Sequence, residues 1–376
     1  MKYPFNKPFL TGKEVDYIIE SVKTGKISGD GKFTKLCHSF FEERFGFKKA
    51  MLTTSCSDAL ELAALLLDIN PGDEVIVPSF TFVSTANAFV LRGAKIVFAD
   101  SGDSNPNIDA SKLESLITPR TRAIAIVHYA GIACDMDKIM DIARKHNIHI
   151  IEDAAHSIDS YYKGRPLGSF GTFSAFSFHE TKNVISGEGG MIIINDESYI
   201  NRAEIIREKG TNRSAFFRGE VDKYNWVDIG SSFLPSDMIA AFLFAQLENL
   251  DKIQKQRISL WNAYHSRLKP LADKGFFSLP VIPDYATNNG HMFYILCKAD
   301  QRKGLITHMK KADILPAFHY FSLHKSPFYM ERHDGRELNN ADRFSETLLR
   351  LPFYYGLTEG DVQFITGKIA EFYKGK

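Results

Sequence analysis

Residues 121–156 read TRAIAIVHYAGIACDMDKIMDIARKHNIHIIEDAAH. The segment opens on an apolar run at 123–128, turns through polar residues into an amphipathic stretch at 136–146, and closes on a second apolar run at 149–152. The outer runs are short and mostly β-branched or alanine, while the middle one repeats its apolar positions at spacings of three and four, so the order is strand, helix, strand. Asp135 stands where it can cap that helix. Two strands joined through a helix run parallel, which makes this a βαβ unit of an α/β protein.

The same alternation continues outward. Further strands are expected at 74–77, 95–99, 172–178 and 190–195, several of them apolar throughout, as in a sheet covered on both faces. Helices are expected at 57–67, 84–92 and 199–208, the first preceded by the turn-prone Thr53-Thr54-Ser55. After Phe233 one long helical stretch over 236–268 leads away. Beyond it lie strands at 276–280, 292–297 and 318–320 and helices at 303–311 and 358–373. The expected fold is α/β, with a mainly parallel central sheet in a large domain at 1–245, N-terminal arm included, and a smaller α+β domain at 246–376.

A chain of 376 residues that is 44% apolar and 24% charged is neither disordered nor fibrous. Lys and Arg number 46 against 45 Asp and Glu, so there is no overall field to hold a polyanion, and nucleic acid is not an expected partner. Cys37, Cys56, Cys134 and Cys297 follow no metal-finger spacing; no metal is expected, and a reducing cytoplasm suits them. No apolar run is long enough to cross a bilayer, so no membrane association is expected.

Ligands of open parallel sheets bind beyond the carboxyl ends of the strands. Here those ends are polar. The first strand quoted runs into His128-Tyr129-Ala130-Gly131, the second into Glu152-Asp153-Ala154-Ala155-His156, and the strand at 172–178 into His179-Glu180-Thr181-Lys182-Asn183. A desolvated lysine can capture a carbonyl, and a carboxylate can keep a ring nitrogen protonated. The free amides of a helix opening at Ser55-Cys56-Ser57 attract a phosphate, to which Ser177 can add a hydroxyl. An aldehyde, a pyridinium and a phosphate together describe pyridoxal phosphate.

Taken singly, each residue has a plainer reading. Lys182 could be a solvated surface lysine, Asp153 a helix cap or ion-pair partner, Ser57 a cap, Phe82 core packing, and His128 and His156 hydrogen-bonded core histidines. Their convergence on one sheet edge favours a site. A nicotinamide-dependent enzyme shares the alternation, but no G-x-G-x-x-G follows a first strand, and Gly187-Glu188-Gly189-Gly190 has the wrong spacing.

At these residues the chain resembles the DegT/DnrJ/EryC1/StrS sugar-nucleotide aminotransferases, which share the aspartate-aminotransferase fold, fold type I of the pyridoxal phosphate enzymes. The resemblance runs from Pro8-Phe9-Leu10-Thr11-Gly12 through Phe318-His319-Tyr320 to Pro327. It is most specific at 151–156, 177–183 and 187–190. It implies that Lys182 carries the cofactor as a Schiff base, that Asp153 faces the pyridinium, that Phe82 stacks on the ring, and that Ser55, Cys56, Ser57 and Ser177 hold the phosphate. Cys56 replaces the family's usual glycine, a strained choice if that position needs a positive φ and an easy one if the helix begins there. His156 replaces a glutamine beside the ring hydroxyl, which would add pH sensitivity.

The resemblance further implies that Asn225 reaches the phosphate of the other subunit's cofactor, making the unit a homodimer with shared sites. His319 and His324 match a substrate-side segment, with a structural loop as the alternative. The implied activity moves an amine from L-glutamate, by way of pyridoxamine phosphate, to a keto-deoxy sugar nucleotide: dTDP-4-keto-6-deoxyglucose, giving dTDP-4-amino-4,6-dideoxygalactose. A 3-keto sugar substrate and a non-catalytic cofactor- or sugar-nucleotide-binding regulator are the alternatives. Lys182 argues against the lysine-less dehydratases of the same family.

Overall fold

The computed structural model describes residues 1–374. In chain order the strands are β1 (Lys49–Thr53), β2 (Glu74–Pro78), β3 (Lys95–Ala99), β4 (Thr121–Val127), β5 (His149–Asp153), β6 (Tyr161–Tyr162), β7 (Arg165–Pro166), β8 (Phe173–Ser177) and β9 (Gly190–Ile194). Seven of them form one sheet in the order β1-β9-β8-β5-β4-β2-β3, while β6 and β7 pair with each other as a separate hairpin. From β8 to β3 all neighbours are parallel, whereas β9 runs against both β1 and β8. Every residue of β2 and β9 is buried, as continuous apolar runs in a doubly covered sheet require. The expected strands of this sheet are all present, with ends displaced by two residues at most, and β1 is an addition.

The helices of this part are α1 (Glu14–Lys23), α2 (Lys32–Phe45), α3 (Cys56–Leu66), α4 (Val83–Val90), α5 (Met136–His146), α6 (Ile200–Arg207), α7 (Arg213–Phe217) and α8 (Asp237–Leu247). Side chains alternate across the sheet. On β5, Ile151 joins the cluster containing Leu60, Leu62 and Ala63 of α3, whereas Ile150 joins Met136, Ile139 and Ala143 of α5 on the other face. That alternation sends Glu152 toward the α5 face and Asp153 toward α3 and α4. Asp135 holds the N-cap position of α5 but does not cap it. Its carboxylate instead pairs with Lys138 at 2.8 Å and accepts a hydrogen bond from the Tyr162 hydroxyl at 3.4 Å.

The single helix expected over 236–268 is two, α8 and α9 (Leu250–Ala272), separated at Glu248 and Asn249. The Asn249 side chain donates to the Ala245 carbonyl at 3.0 Å, a local competitor to helix continuation. Beyond α9 come β10 (Phe277–Ser278), β11 (Tyr294–Cys297), α10 (Ala299–Lys311), β12 (Ala317–Phe318), α11 (Asn339–Thr347), β13 (Leu348–Arg350) and α12 (Glu359–Tyr373). The four strands form an antiparallel sheet in the order β10-β11-β13-β12. The N-terminal arm returns to this part, with Tyr3 bridging to Ile314 and Phe9 stacking on Tyr355. All four cysteines are free thiols, and no described helix is long and apolar enough to cross a membrane.

Candidate active site

A cleft of about 1160 Å³ opens at the carboxyl ends of β4, β5 and β8, roofed by residues of the C-terminal part. Asp153, the last residue of β5, points into it. One of its oxygens accepts the Thr85 hydroxyl at 2.7 Å, Thr85 in turn meets the Thr81 hydroxyl at 2.9 Å, and the other oxygen accepts the Ala155 amide at 3.2 Å. Burial pushes the Asp153 carboxyl above its ordinary range, against these hydrogen bonds and the nearby Lys182 charge. A protonated ring nitrogen placed against it would favour the carboxylate again.

The phosphate turn is built from the start of α3. Ser55 is extended and accepts the Asp58 amide at 3.0 Å, and Cys56 begins the helix, which leaves the amides of Cys56 and Ser57 without intrahelical acceptors. Cys56 is not among the residues with positive φ, so the thiol-bearing residue fits this turn without strain. Gly190 at the start of β9 permits the close approach of the sheet: a Cβ there would lie 2.2 Å from the Ser55 carbonyl carbon. The Ser57 hydroxyl bonds that of Ser84 at 2.7 Å, and Ser177, at the end of β8, lines the same cleft. Phe82 precedes α4 and leaves 55% of its surface open on the cleft wall, unlike a core residue.

Lys182 follows β8 in a turn held by its amide donating to the His179 carbonyl at 2.9 Å. It is half-buried, lines the cleft, and its Nζ makes no hydrogen bond or ion pair among the described residues. Burial brings the amine down to about 8, opposed by Cys56 and Asp153 and reinforced by Arg350. An amine titrating there is both a nucleophile and a usable base near neutral pH.

His156 lines the cleft, and its Nδ1 accepts the Ala130 amide at 3.3 Å, which leaves the ring proton on Nε2. Ala130 holds φ at +58°, a strained turn that aims this amide. Burial and the Lys182 charge depress the His156 pKa well below its usual value, a direction that favours the neutral ring. His319 lines the cleft too, its Nδ1 3.1 Å from the Tyr129 hydroxyl. His324 does not. It is buried behind the wall, with Nδ1 at 2.7 Å from the Ser79 hydroxyl and Nε2 at 3.7 Å from Asp342. Asn225 also lies outside this cleft, on an exposed segment bridged from Trp226 to Thr211.

Sequence reading passed over His291, Thr85, Phe5 and Arg350. His291 stacks on His156 at 4.2 Å, and Thr85 is the hydroxyl that orients Asp153. Only Arg350 carried a visible signal, as the one charge within Leu348-Leu349-Arg350-Leu351-Pro352-Phe353.

The sequence profile described as the DegT/DnrJ/EryC1/StrS aminotransferase family matches residues 8–370. The chain belongs to that family. It is therefore an aminotransferase, and its cofactor is pyridoxal phosphate. Among curated relatives, the GDP-perosamine synthase of Caulobacter vibrioides is 35% identical over 366 residues, 94% of each chain. The spore coat polysaccharide biosynthesis protein SpsC of Bacillus subtilis is 32% identical over 99% of this chain and 97% of its own. Among solved structures, a Streptococcus pneumoniae protein described as a sugar aminotransferase superimposes in its PMP form with a TM-score of 0.91 at 25% identity, over 99% of each chain, and has been solved in a PLP form as well. The carboxyl-end cleft of this family member has donors suited to each part of that cofactor: free helix amides for its phosphate, a buried carboxylate for its ring nitrogen, and an unpartnered amine for its aldehyde.

Proposed function

We propose that this aminotransferase moves the amino group of L-glutamate to a 4-keto-6-deoxy sugar nucleotide. The observation that carries the reading is the convergence of Lys182, with an amine near pKa 8, and Asp153, with its threonine relay, on one cleft large enough to take an amino acid and a sugar in turn. Pyridoxal phosphate, when bound, supplies an aldehyde that takes up amines and a ring that accepts the electrons of a deprotonated carbon. The amides of Cys56 and Ser57, with the hydroxyls of Ser55, Ser57 and Ser177, would hold its phosphate, and Phe82 would pack on its ring. Asp153 would hold a proton at the ring nitrogen, and the Nε2–H of His156 would be available to the ring hydroxyl. Lys182 would tether the cofactor through its aldehyde and, once displaced, its Nζ would take the proton from the α-carbon of the donor and, in the second half of the transfer, give a proton to the sugar carbon that receives the amine. His319 faces the sugar.

Asn225 belongs in this reading to the partner subunit's site. The support is the exposed apolar surface around it, with Trp226 at 82% and Phe217 at 68% exposure, which a homodimer would cover. The division proposed after residue 245 falls in the last turn of α8, just before the break that precedes α9. A cytoplasmic location is proposed on the free thiols.

The resemblance favours dTDP-4-keto-6-deoxyglucose as acceptor and dTDP-4-amino-4,6-dideoxygalactose as product. Relatives named GDP-perosamine synthase, at 35% and 32% identity, favour a GDP-linked sugar as the second reading. The test is incubation of the holoenzyme with L-glutamate and a panel of GDP-, dTDP- and UDP-linked 4-keto and 3-keto sugars, with products identified by NMR. Amination at C4 with one preferred nucleotide is expected. Amination at C3 would overturn the positional assignment, and absence of any amino sugar across the panel would overturn the sugar-nucleotide reading.

A further inference from the structure

Asn289, Gly290 and His291 stand in the loop before β11, all three buried. The Asn289 side chain donates to the His156 carbonyl at 2.7 Å and to the Ile158 carbonyl at 2.9 Å. Its backbone carbonyl accepts from Asn183, the residue after Lys182, at 3.0 Å. Two glycines let the loop come this close. A Cβ on Gly131, at φ +76°, would lie 2.2 Å from the Asn289 side-chain oxygen, and Gly290, at φ +58°, packs on the backbone of Arg257. Arg257 in turn donates to the Gly290 and His291 carbonyls at 2.9 and 2.7 Å. The loop therefore meets the turns that follow β4, β5 and β8 at once.

The directions of its hydrogen bonds are fixed. Asn183 turns its amide nitrogen to two acceptors, Gln254 Oε1 at 2.8 Å and the Asn289 carbonyl, so its oxygen faces His291 Nδ1 at 2.8 Å and accepts from it. The His291 ring lies over that of His156, with centroids 4.2 Å apart and planes 19° from parallel, nearer than the rings of Tyr129 or His319. The Ala130 amide sets the in-plane direction of the His156 imidazole, and His291 sets its tilt. An apolar ring could cover His156 equally well. It would leave the buried Asn183 oxygen without a donor, so the imidazole is suited to both tasks.

We infer that His291 is a positioning residue for the amino transfer, one that aligns the His156 ring and, through Asn183, ties it to the turn carrying Lys182. This rests on the cofactor reading above, in which His156 serves the ring hydroxyl. In pyridoxal phosphate the hydroxyl and the aldehyde occupy neighbouring carbons of one rigid ring. The groups that serve them must keep a short, constant separation, although His156 follows β5 and Lys182 follows β8. Asn289 links the two turns through backbone carbonyls, and His291 links the imidazole itself.

The test is the pH midpoint of the visible cofactor band in the holoenzyme, which reads the proton on the nitrogen that joins Lys182 to the cofactor. A donor at the ring oxygen draws off the negative charge that holds this proton, so loss of the donor raises the midpoint. His156→Phe should raise it by about one unit, the worth of a hydrogen bond to a charged group. His291→Ala should raise it by about half a unit or more with His156 in place, and the double variant should rise no further than His156→Phe alone. His291→Phe, which keeps a ring over His156 and loses the bond to Asn183, should give a smaller rise and serves if the alanine variant does not fold. Lys182, Arg257 and Arg350, the charges that bear on His291, are unchanged in every variant. An unmoved midpoint in the His291 variants, or a shift that adds in full to that of His156→Phe, would overturn the inference. An unmoved midpoint in His156→Phe would instead overturn the placement of His156 beneath it.

Discussion

Glu152 and Asp153 are adjacent on β5, both buried and both carboxylates, yet they serve opposite faces of the sheet. Glu152 is saturated. Its oxygens accept the amides of Phe170 and Gly171 at 2.7 Å each and of Gly168 at 2.8 Å, and His128 Nε2 approaches at 3.0 Å. The Cys134 amide donates to His128 Nδ1 at 3.1 Å, so the ring proton lies on Nε2 and points at the glutamate. Asp153 accepts only a hydroxyl and one amide, and it faces a cleft with burial raising its pKa. A buried carboxylate with a full set of donors stabilises the fold, and one left short of donors is poised to take a ligand's proton or charge. The carboxyl-end cleft repeats the lesson with Lys182 and Arg350, cations without an ion-pair partner among the described residues.

The contrast can be broken most sharply at Asp153. Asp153→Asn should retain fold and cofactor and lose about 10²- to 10³-fold in the single-turnover rate with glutamate, because an amide supplies no charge to hold the ring proton. A rate near wild type would return Asp153 to the role of a structural cap. Glu152→Gln should do the reverse. Three backbone amides and a histidine would lose a charged acceptor, costing about 3 kcal/mol of stability in denaturant unfolding, while the rate per folded molecule changes little. Loss of rate without loss of stability would merge the two residues into one functional class.

A smaller effect sharpens the comparison through pH. Lys182 is held at about 8 against 10.5 in the unfolded chain, so between those values the unfolded state binds more protons and the stability of cofactor-free protein rises with pH. Below pH 8 the desolvated charge is a full penalty. Lys182→Met should therefore be more stable than wild type at neutral pH when both lack cofactor, with the advantage shrinking as pH is raised toward 10.5. A pH-independent difference would mean that the amine is solvated in the folded protein.

What the sequence made legible follows from local physics. The strand-helix-strand segment at 121–156 and the polar strand ends after Val127, Asp153 and Ser177 are written in consecutive residues, and α5 appears at the residues where its periodicity puts it. Helix α2 was not legible because it carries no cap of its own. Asp237, two hundred positions away on α8, accepts the Thr34 amide at 2.9 Å and the Phe33 amide at 3.3 Å. His324 shows the same limit from the other side: its neighbour His319 reaches the cleft, and only tertiary packing against Ser79 and Asp342 turns His324 away. Thr85 and His291 act through residues distant in sequence, Asp153 and His156, so no spacing pattern announces them. Arg350 was visible as an anomaly in an apolar strand, but its want of a partner is a fact of the folded chain alone.

The central claim is that Lys182 is the amine that carries the cofactor. Borohydride reduction of the holoenzyme, followed by proteolysis and mass-spectrometric mapping, tests it directly. A phosphopyridoxyl label on Lys182, absent when the protein is first saturated with methoxyamine, is the predicted result. A label on any other lysine, or an unlabelled Lys182 in cofactor-saturated protein, would contradict the account.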